Sequence, residues 1–170
     1  MNQVLIGKKI LAVDDELDIL DTLTDILDMC DVETATNFES AKKLLINNHY
    51  DAAILDIMGV EGYDLLNLTK VKGIPSLMLT AHALSPDHLI KSIGDGACCY
   101  LPKEEMVNIA DHLCDVLMAM PLNSKKPHKW FEKLSPLFDR KWGSEWKNER
   151  METLRQLNLV FSKDELQQIL

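Results

Sequence analysis

Ile10-Leu11-Ala12-Val13-Asp14-Asp15-Glu16 is the stretch that decides the fold, because a continuously apolar run ends abruptly in three acidic residues. A strand that is buried on both faces is apolar at every position, whereas a half-exposed strand alternates. A second apolar run, Ala52 to Leu55, ends at Asp56, and a third spans Ser76 to Thr80. These runs predict inner strands of a parallel sheet.

A helical pattern follows each strand-like run, so that the chain reads as repeated βα units as far as residue 120. The predicted strands are Lys9–Val13, Val32–Thr36, Ala52–Leu55, Ser76–Thr80 and Cys98–Leu101. The helices predicted after them are Glu16–Cys30, one capped by Asn37, Tyr63–Lys72, one that starts at Ser85-Pro86, and Glu104–Met120. Such alternation favours a parallel sheet with helices on both faces. Its ligand site is expected outside the carboxyl ends of the strands.

Charged and polar residues stand at those strand ends. Asp14 and Asp15 follow the first strand, Asp56 follows the third, Thr80 closes the fourth, and Lys103 lies just past the fifth. Converging carboxylates repel each other unless a cation lies among them, and oxygen ligands beside phosphate suit Mg²⁺. A carboxylate can form an acyl phosphate, and a lysine with a hydroxyl can stabilise the transferred group. The pattern therefore predicts a magnesium-dependent phosphoryl-transfer site.

Together these segments resemble the receiver domain of bacterial two-component response regulators, over roughly residues 8–120. The matching segments are Ile10-Leu11-Ala12-Val13-Asp14-Asp15-Glu16, Ala53-Ile54-Leu55-Asp56-Ile57-Met58, Leu79-Thr80-Ala81 and Tyr100-Leu101-Pro102-Lys103. The resemblance implies a flavodoxin-like, doubly wound α/β fold with five parallel strands in the order 2-1-3-4-5.

The resemblance also implies the chemistry of the site. Asp56 is the expected phosphoacceptor, and Lys103 is expected to pair with the phosphoryl oxygens. Mg²⁺ is the expected cofactor, bound directly by Asp15, Asp56 and the backbone carbonyl of Met58, and through water by Asp14. The expected phosphoryl donor is a phosphohistidine on a sensor histidine kinase or a phosphotransfer protein.

A conformational switch is implied in the same way. Thr80 is expected to move toward the phosphoryl group, and Tyr100 to change rotamer with it. The face formed by the fourth helix, fifth strand and fifth helix would then change shape for a downstream protein target. The chain is expected to catalyse only its own phosphorylation and dephosphorylation, without being a turnover enzyme.

Two other functions stay open at this point. One is a phosphatase with an aspartyl-phosphate intermediate, but that class usually has a second aspartate two residues after the nucleophile, where Met58 stands. The other is a transcription regulator that uses its C-terminal tail on DNA, although the tail lacks a clear basic recognition helix.

The chain divides by composition near residue 120. We predict a receiver over residues 1–120, a linker over 121–128 and a helical extension over 129–170. Apolar residues from Trp130 to Phe138 fall at helical spacing, and Ser162 with Glu165 fits a capping box. The extension either packs on the receiver or binds a partner, which includes a second copy of the chain in a homodimer. Amphipathicity alone does not choose between these alternatives.

Charge restricts the partners. Residues 1–120 hold 8 Lys/Arg against 20 Asp/Glu, a net charge of −12, which disfavours nucleic acid. Residues 121–170 hold 10 against 7, a net charge of +3. No apolar stretch is long enough to span a bilayer, and the start of the chain lacks a signal-peptide pattern. We expect a cytoplasmic protein with no membrane partner.

Overall fold

A computed structural model of the protein describes residues 2–119 and 128–169 and contains one parallel sheet in the order β2-β1-β3-β4-β5. The strands are β1 (Lys9–Val13), β2 (Asp31–Ala35), β3 (Ala52–Leu55), β4 (Ser76–Thr80) and β5 (Cys99–Pro102). The helices are α1 (Leu17–Ile26), α2 (Phe38–Asn47), α3 (Gly62–Val71), α4 (Pro86–Gly94), α5 (Ile109–Met118), α6 (Lys129–Trp142), α7 (Met151–Gln156) and α8 (Lys163–Ile169). Short 3-10 helices span Asn2–Leu5, Lys103–Asn108 and Asn148–Arg150. The predicted fold class and strand order are confirmed.

The inner strands are buried because helices cover both faces of the sheet. Every residue of β3 and β4 is buried, and in β1 only Lys9 is partly exposed. The strand order reverses direction after β2, so right-handed crossovers put α1 on one face and α2, α3 and α4 on the other. The edge between β1 and β3 is therefore the point where a doubly wound sheet leaves a crevice.

Local signals set the start of the helix that follows β4. The Ser85 side chain accepts a hydrogen bond from the His88 backbone N–H at 3.2 Å, and Pro86 stands in the first turn. A proline is tolerated there because the first helical N–H groups have no intrahelical acceptor. This cap fixes the loop between β4 and α4, which borders the candidate site.

Two predicted helices are wrong at one end: α1 ends at Ile26, four residues before the predicted Cys30, and the last receiver helix differs in its first part. The segment expected to be helical from Glu104 starts as the 3-10 helix Lys103–Asn108, and α5 begins only at Ile109. No residue of that 3-10 helix is fully buried, and Met106 packs only partly against the core, so few core contacts hold a regular α-helical turn there. The predicted end of the helix, Met120, lies outside the described residues.

Two strands are shifted by one residue from the prediction. β2 spans Asp31–Ala35 instead of Val32–Thr36, and β5 spans Cys99–Pro102 instead of Cys98–Leu101. Pro102 is accommodated because β5 is an edge strand, where one backbone N–H is not needed for pairing.

The C-terminal extension is helical, as predicted, and packs on the receiver. Its aromatic side chains contact one another: the Phe138 and Trp142 rings stack with centroids 4.6 Å apart, and Trp142 meets Trp146 edge to face with centroids 4.9 Å apart. The predicted capping box is present, because the Glu165 N–H donates to Ser162 Oγ at 3.2 Å. The predicted linker falls on residues 121–127, outside the described part of the chain, and on residue 128. No helix within residues 2–119 and 128–169 has the length and apolar character to cross a membrane.

Candidate functional site

Strand pairing brings the predicted acidic residues together. The parallel register places Val13 beside Leu55, so Asp14 and Asp56 leave neighbouring strands at the same level. The Asp56 backbone N–H donates to the Val13 carbonyl at 2.9 Å, which fixes this register up to the site. Both carboxylates are almost fully buried, with 2% of Asp14 and 4% of Asp56 exposed.

Lys103 reaches into this acidic pocket from beyond β5. Its Nζ lies 2.8 Å from Asp14 Oδ2, 2.9 Å from Glu16 Oε1 and 3.6 Å from Asp56 Oδ2. Burial acts to lower the pKa of Lys103, but its hydrogen bonds to Asp14 and Glu16 and the charge of Asp56 outweigh burial and raise the pKa. The ammonium therefore stays charged and links carboxylates from two strands.

The pocket holds more negative charge than Lys103 neutralises. Burial raises the pKa of Asp56 to about 6, with help from the charges of Asp14 and Asp15 and against the charge of Lys103. Burial also raises the pKa of Asp14, in spite of its short contact with Lys103. A divalent cation would favour the ionised forms of both carboxyl groups.

Oxygen donors for such a cation are gathered at the end of β1. Carboxylate oxygens of Asp14, Asp15 and Glu16 lie within 4.8 Å of one another. Gly59 approaches them closely: it has a φ of +84°, and a Cβ there would lie 2.5 Å from Asp15 Oδ2. An all-oxygen donor set of this kind fits Mg²⁺. Sequence reasoning assigns no role to Glu16, although it directly follows the two aspartates.

Met58 and Asp56 complete the predicted metal ligands. Asp56 stands beside the cluster of Asp14, Asp15 and Glu16: Lys103 Nζ lies 3.6 Å from its Oδ2, and the negative charge of Asp15 acts to raise its pKa. Met58 lies two residues further, with half of its surface exposed. Metal binding by its backbone carbonyl stays a prediction.

The two predicted switch residues are connected through the loop after β4. Thr80 Oγ1 accepts a hydrogen bond from the Ala83 N–H at 3.1 Å. The Tyr100 hydroxyl donates to the Ala83 carbonyl at 2.6 Å and accepts from the Ser85 N–H at 3.1 Å. Thr80 and Tyr100 are both fully buried. Neither Ala83 nor Ser85 was singled out from the sequence for this contact, because a small residue and a helix cap carry no signal of a tertiary partner.

The fold and the site define a class of protein. Five parallel strands in the order 2-1-3-4-5, with buried aspartates after β1 and β3 and a lysine after β5, are the architecture of a receiver domain. Residues 10–113 match the model of the response regulator receiver domain family. The chain belongs to that family. Receiver domains bind Mg²⁺ at an acidic pocket, and an acidic cluster is present here.

Curated relatives are response regulators. The chain is 32% identical over 124 residues to the two-component response regulator ARR12 of Arabidopsis thaliana, a match that covers 66% of this chain and 21% of that protein. It is 36% identical over 103 residues to the transcriptional regulatory protein CpxR homolog of Haemophilus influenzae, covering 56% of this chain and 43% of that protein. The matched region thus spans less than half of each relative.

Solved structures share the fold of the receiver part. A CheY-like response regulator receiver domain protein from Methanospirillum hungatei is 26% identical, with a TM-score of 0.62, covering 69% of this chain and 99% of that one. A response regulator from Chloroflexus aurantiacus, described as putative, is 28% identical with a TM-score of 0.59, covering 66% of this chain and 98% of that one.

Proposed function

We propose that the chain receives the signal of a two-component pathway by accepting a phosphoryl group on Asp56. The observation that carries the proposal is the buried Asp56 carboxylate, 3.6 Å from Lys103 and in the electrostatic field of Asp14 and Asp15. One Asp56 oxygen forms a bond to phosphorus while the bond from phosphorus to the donor's imidazole nitrogen breaks. The imidazole leaves as the neutral donor side chain once it takes up a proton.

The cofactor of this reaction is Mg²⁺ in our proposal. Asp15, Asp56 and the Met58 carbonyl would hold the ion directly, and Asp14 would hold it through water. When bound, Mg²⁺ neutralises negative charge on the carboxylates and on the phosphoryl oxygens. Glu16 adds a further oxygen donor within 4.8 Å of Asp14 and Asp15.

The chain's own cation and hydroxyl stabilise the transferred group. Lys103 would exchange its contact with Asp14, now 2.8 Å, for a phosphoryl oxygen. The Thr80 hydroxyl would donate a hydrogen bond to another phosphoryl oxygen. Because the product stays attached to Asp56 until water removes it, the chain performs self-catalysed phosphotransfer and dephosphorylation and is not a turnover enzyme.

The proposed partners lie before and after this step. The phosphoryl donor is a phosphohistidine on a sensor histidine kinase or on a phosphotransfer protein, and the output is contact with a downstream protein. The curated relatives support this assignment, since their names describe two-component response regulators.

Incubation with Mg²⁺ and acetyl phosphate tests the proposal. Intact-mass spectrometry should detect one added phosphoryl group in the parent and none in Asp56→Asn. Asp51→Asn is the matched control, because Asp51 directly precedes β3, at the opposite end from Asp56. Phosphorylation that survives in Asp56→Asn would refute the assignment, and steady release of phosphate from a generic phosphate ester would refute the absence of turnover.

A further inference from the structure

The C-terminal extension covers one particular face of the receiver. We use "switch face" for the surface formed by α4, β5 and α5. The Phe138 ring of α6 lies 6.2 Å from the ring of Tyr100 on β5, and Phe138 has no exposed surface. Trp130 and Phe131, from the first turn of α6, are also buried. Tyr100, which is predicted to change rotamer on phosphorylation, is therefore in contact with the extension.

Ion pairs connect the extension to the rest of this face. Each has its cation on the extension and its anion on the receiver: Lys133–Asp115 at 2.5 Å, Lys141–Glu104 at 2.6 Å and Arg150–Asp87 at 3.4 Å. Asp115 belongs to α5 and Asp87 to α4, so the pairs stand on both sides of Tyr100. The extension is thus electrostatically complementary to the receiver. This agrees with the net charges of +3 over residues 121–170 and −12 over residues 1–120.

A continuous series of contacts joins this docked segment to the end of β4. Thr80 accepts from the Ala83 N–H, the Ala83 carbonyl accepts from the Tyr100 hydroxyl, and the Tyr100 ring lies against Phe138. Ala83 is itself buried, so its N–H has no access to water if Thr80 turns away. A displacement of Thr80 must therefore move the loop or leave a buried donor unpaired.

We propose that residues 128–169 are an intramolecular cover of the switch face that docks on the unphosphorylated receiver and is weakened by phosphorylation. This inference rests on the proposed phosphorylation of Asp56. When Thr80 turns to the phosphoryl group, Ala83 moves with it and takes away the carbonyl that holds Tyr100. The surface on which Phe138 packs then changes, and docking loses free energy.

The coupling works in both directions. If a phosphoryl group weakens docking by some factor, docking weakens binding at the phosphoryl site by the same factor. The cover therefore opposes activation and excludes other proteins from the switch face until Asp56 is modified. A downstream partner gains access to α4, β5 and α5 only as the cover is released.

The chain contains its own reporter of docking. All three tryptophans, Trp130, Trp142 and Trp146, lie in the extension, so tryptophan fluorescence monitors this segment alone. The experiment uses the full chain with Mg²⁺ and beryllium fluoride, whose BeF₃⁻ form mimics a phosphoryl group without a covalent bond. Binding is followed by ¹⁹F NMR, and exposure of the tryptophans by acrylamide quenching. Quenching should increase as beryllium fluoride saturates the site.

Variants test the reciprocal effect. Phe138→Ala removes the ring beside Tyr100 and should tighten beryllium fluoride binding about fivefold or more. Arg150→Gln removes the ion pair with Asp87 and should act in the same direction without a cavity in the core. Arg155→Gln is its matched control, because Arg155 is exposed and has no ion pair among the described residues.

Tyr100→Phe tests the route. It keeps the ring against Phe138 but removes the hydroxyl that joins Ala83 and Ser85. We expect quenching like that of the parent without beryllium fluoride, and a smaller increase with it.

The outcomes separate this inference from the proposed function. Beryllium fluoride binding with unchanged tryptophan quenching would overturn the cover and leave the phosphoryl site intact. No binding at all would overturn both. Equal affinities for beryllium fluoride in the parent, Phe138→Ala and Arg150→Gln would also overturn the cover. Reciprocal coupling requires that loss of docking change the affinity of the phosphoryl site.

Discussion

Replacing the proposed phosphoacceptor should make the metal-free protein more stable. Asp56→Asn keeps the shape of the side chain and removes its charge, while Lys103 keeps its contacts with Asp14 and Glu16. The folded-state pKa of Asp56 rises from 3.8 to about 6, chiefly because of burial. At 1.36 kcal/mol per pKa unit, this shift corresponds to roughly 3 kcal/mol, and solvent screening reduces the expected gain to about 1–2 kcal/mol.

The gain should depend on pH in a defined way. Above about pH 6 the Asp56 carboxylate is ionised in both the folded and the unfolded protein. Because ionisation costs more free energy in the folded protein, Asp56→Asn is the more stable chain in this range. Between about pH 6 and pH 4 the folded parent takes up a proton before the unfolded chain does, and the difference shrinks. Below about pH 4 both forms are protonated and the difference disappears.

Urea unfolding followed by circular dichroism, with a chelator present, measures this difference. The parent and Asp56→Asn are compared at about pH 7.5 and at about pH 4. Asp21→Asn, an exposed position on α1, is the control for a lost surface charge. Asp56→Asn stability equal to or below that of the parent at the higher pH, or a gain that persists at the lower pH, would refute the reasoning about burial.

Three further changes test the surroundings of the site. Lys103→Met should cost about 2–3 kcal/mol in urea unfolding without metal, because it leaves the buried carboxylate of Asp14 unpaired, and added Mg²⁺ should recover part of the loss. Gly62→Ala should cost about 2–3 kcal/mol, since its Cβ would meet the Asp56 carbonyl and lie 2.7 Å from the Ile57 Cα; an unchanged melting temperature would contradict this. Ser85→Ala should cost about 1 kcal/mol by removing the cap of α4, measured by thermal melting.

The strands that build the site were predictable because their signal is local. Lys9–Val13, Ala52–Leu55 and Ser76–Thr80 have the bounds that their apolar runs predict. A parallel sheet then brings the carboxyl ends of these strands to one edge, and the strand order implied by the resemblance puts Asp14 beside Asp56. The α-helix predicted from Glu104 was wrong as far as Asn108, because whether a turn is α or 3-10 depends on core contacts that a helical pattern does not encode.

Other features depend on residues far apart in the chain. Lys103 lies between Asp14 and Glu16, 87 residues from the latter, and only packing selects Glu16 as its partner. Likewise, the helical stripe that contains Phe138 predicts an apolar face but not the surface that it covers.

The sequence alone therefore determined the strands of the parallel sheet and the edge that collects the acidic residues, since these follow from short-range periodicity and from parallel pairing, while the family resemblance implied the strand order. Tertiary structure decided that the extension lies on the switch face, with Phe138 against Tyr100 and Arg150 paired to Asp87. That choice depends on shape and charge complementarity between two surfaces, and neither surface exists until its own part of the chain has folded.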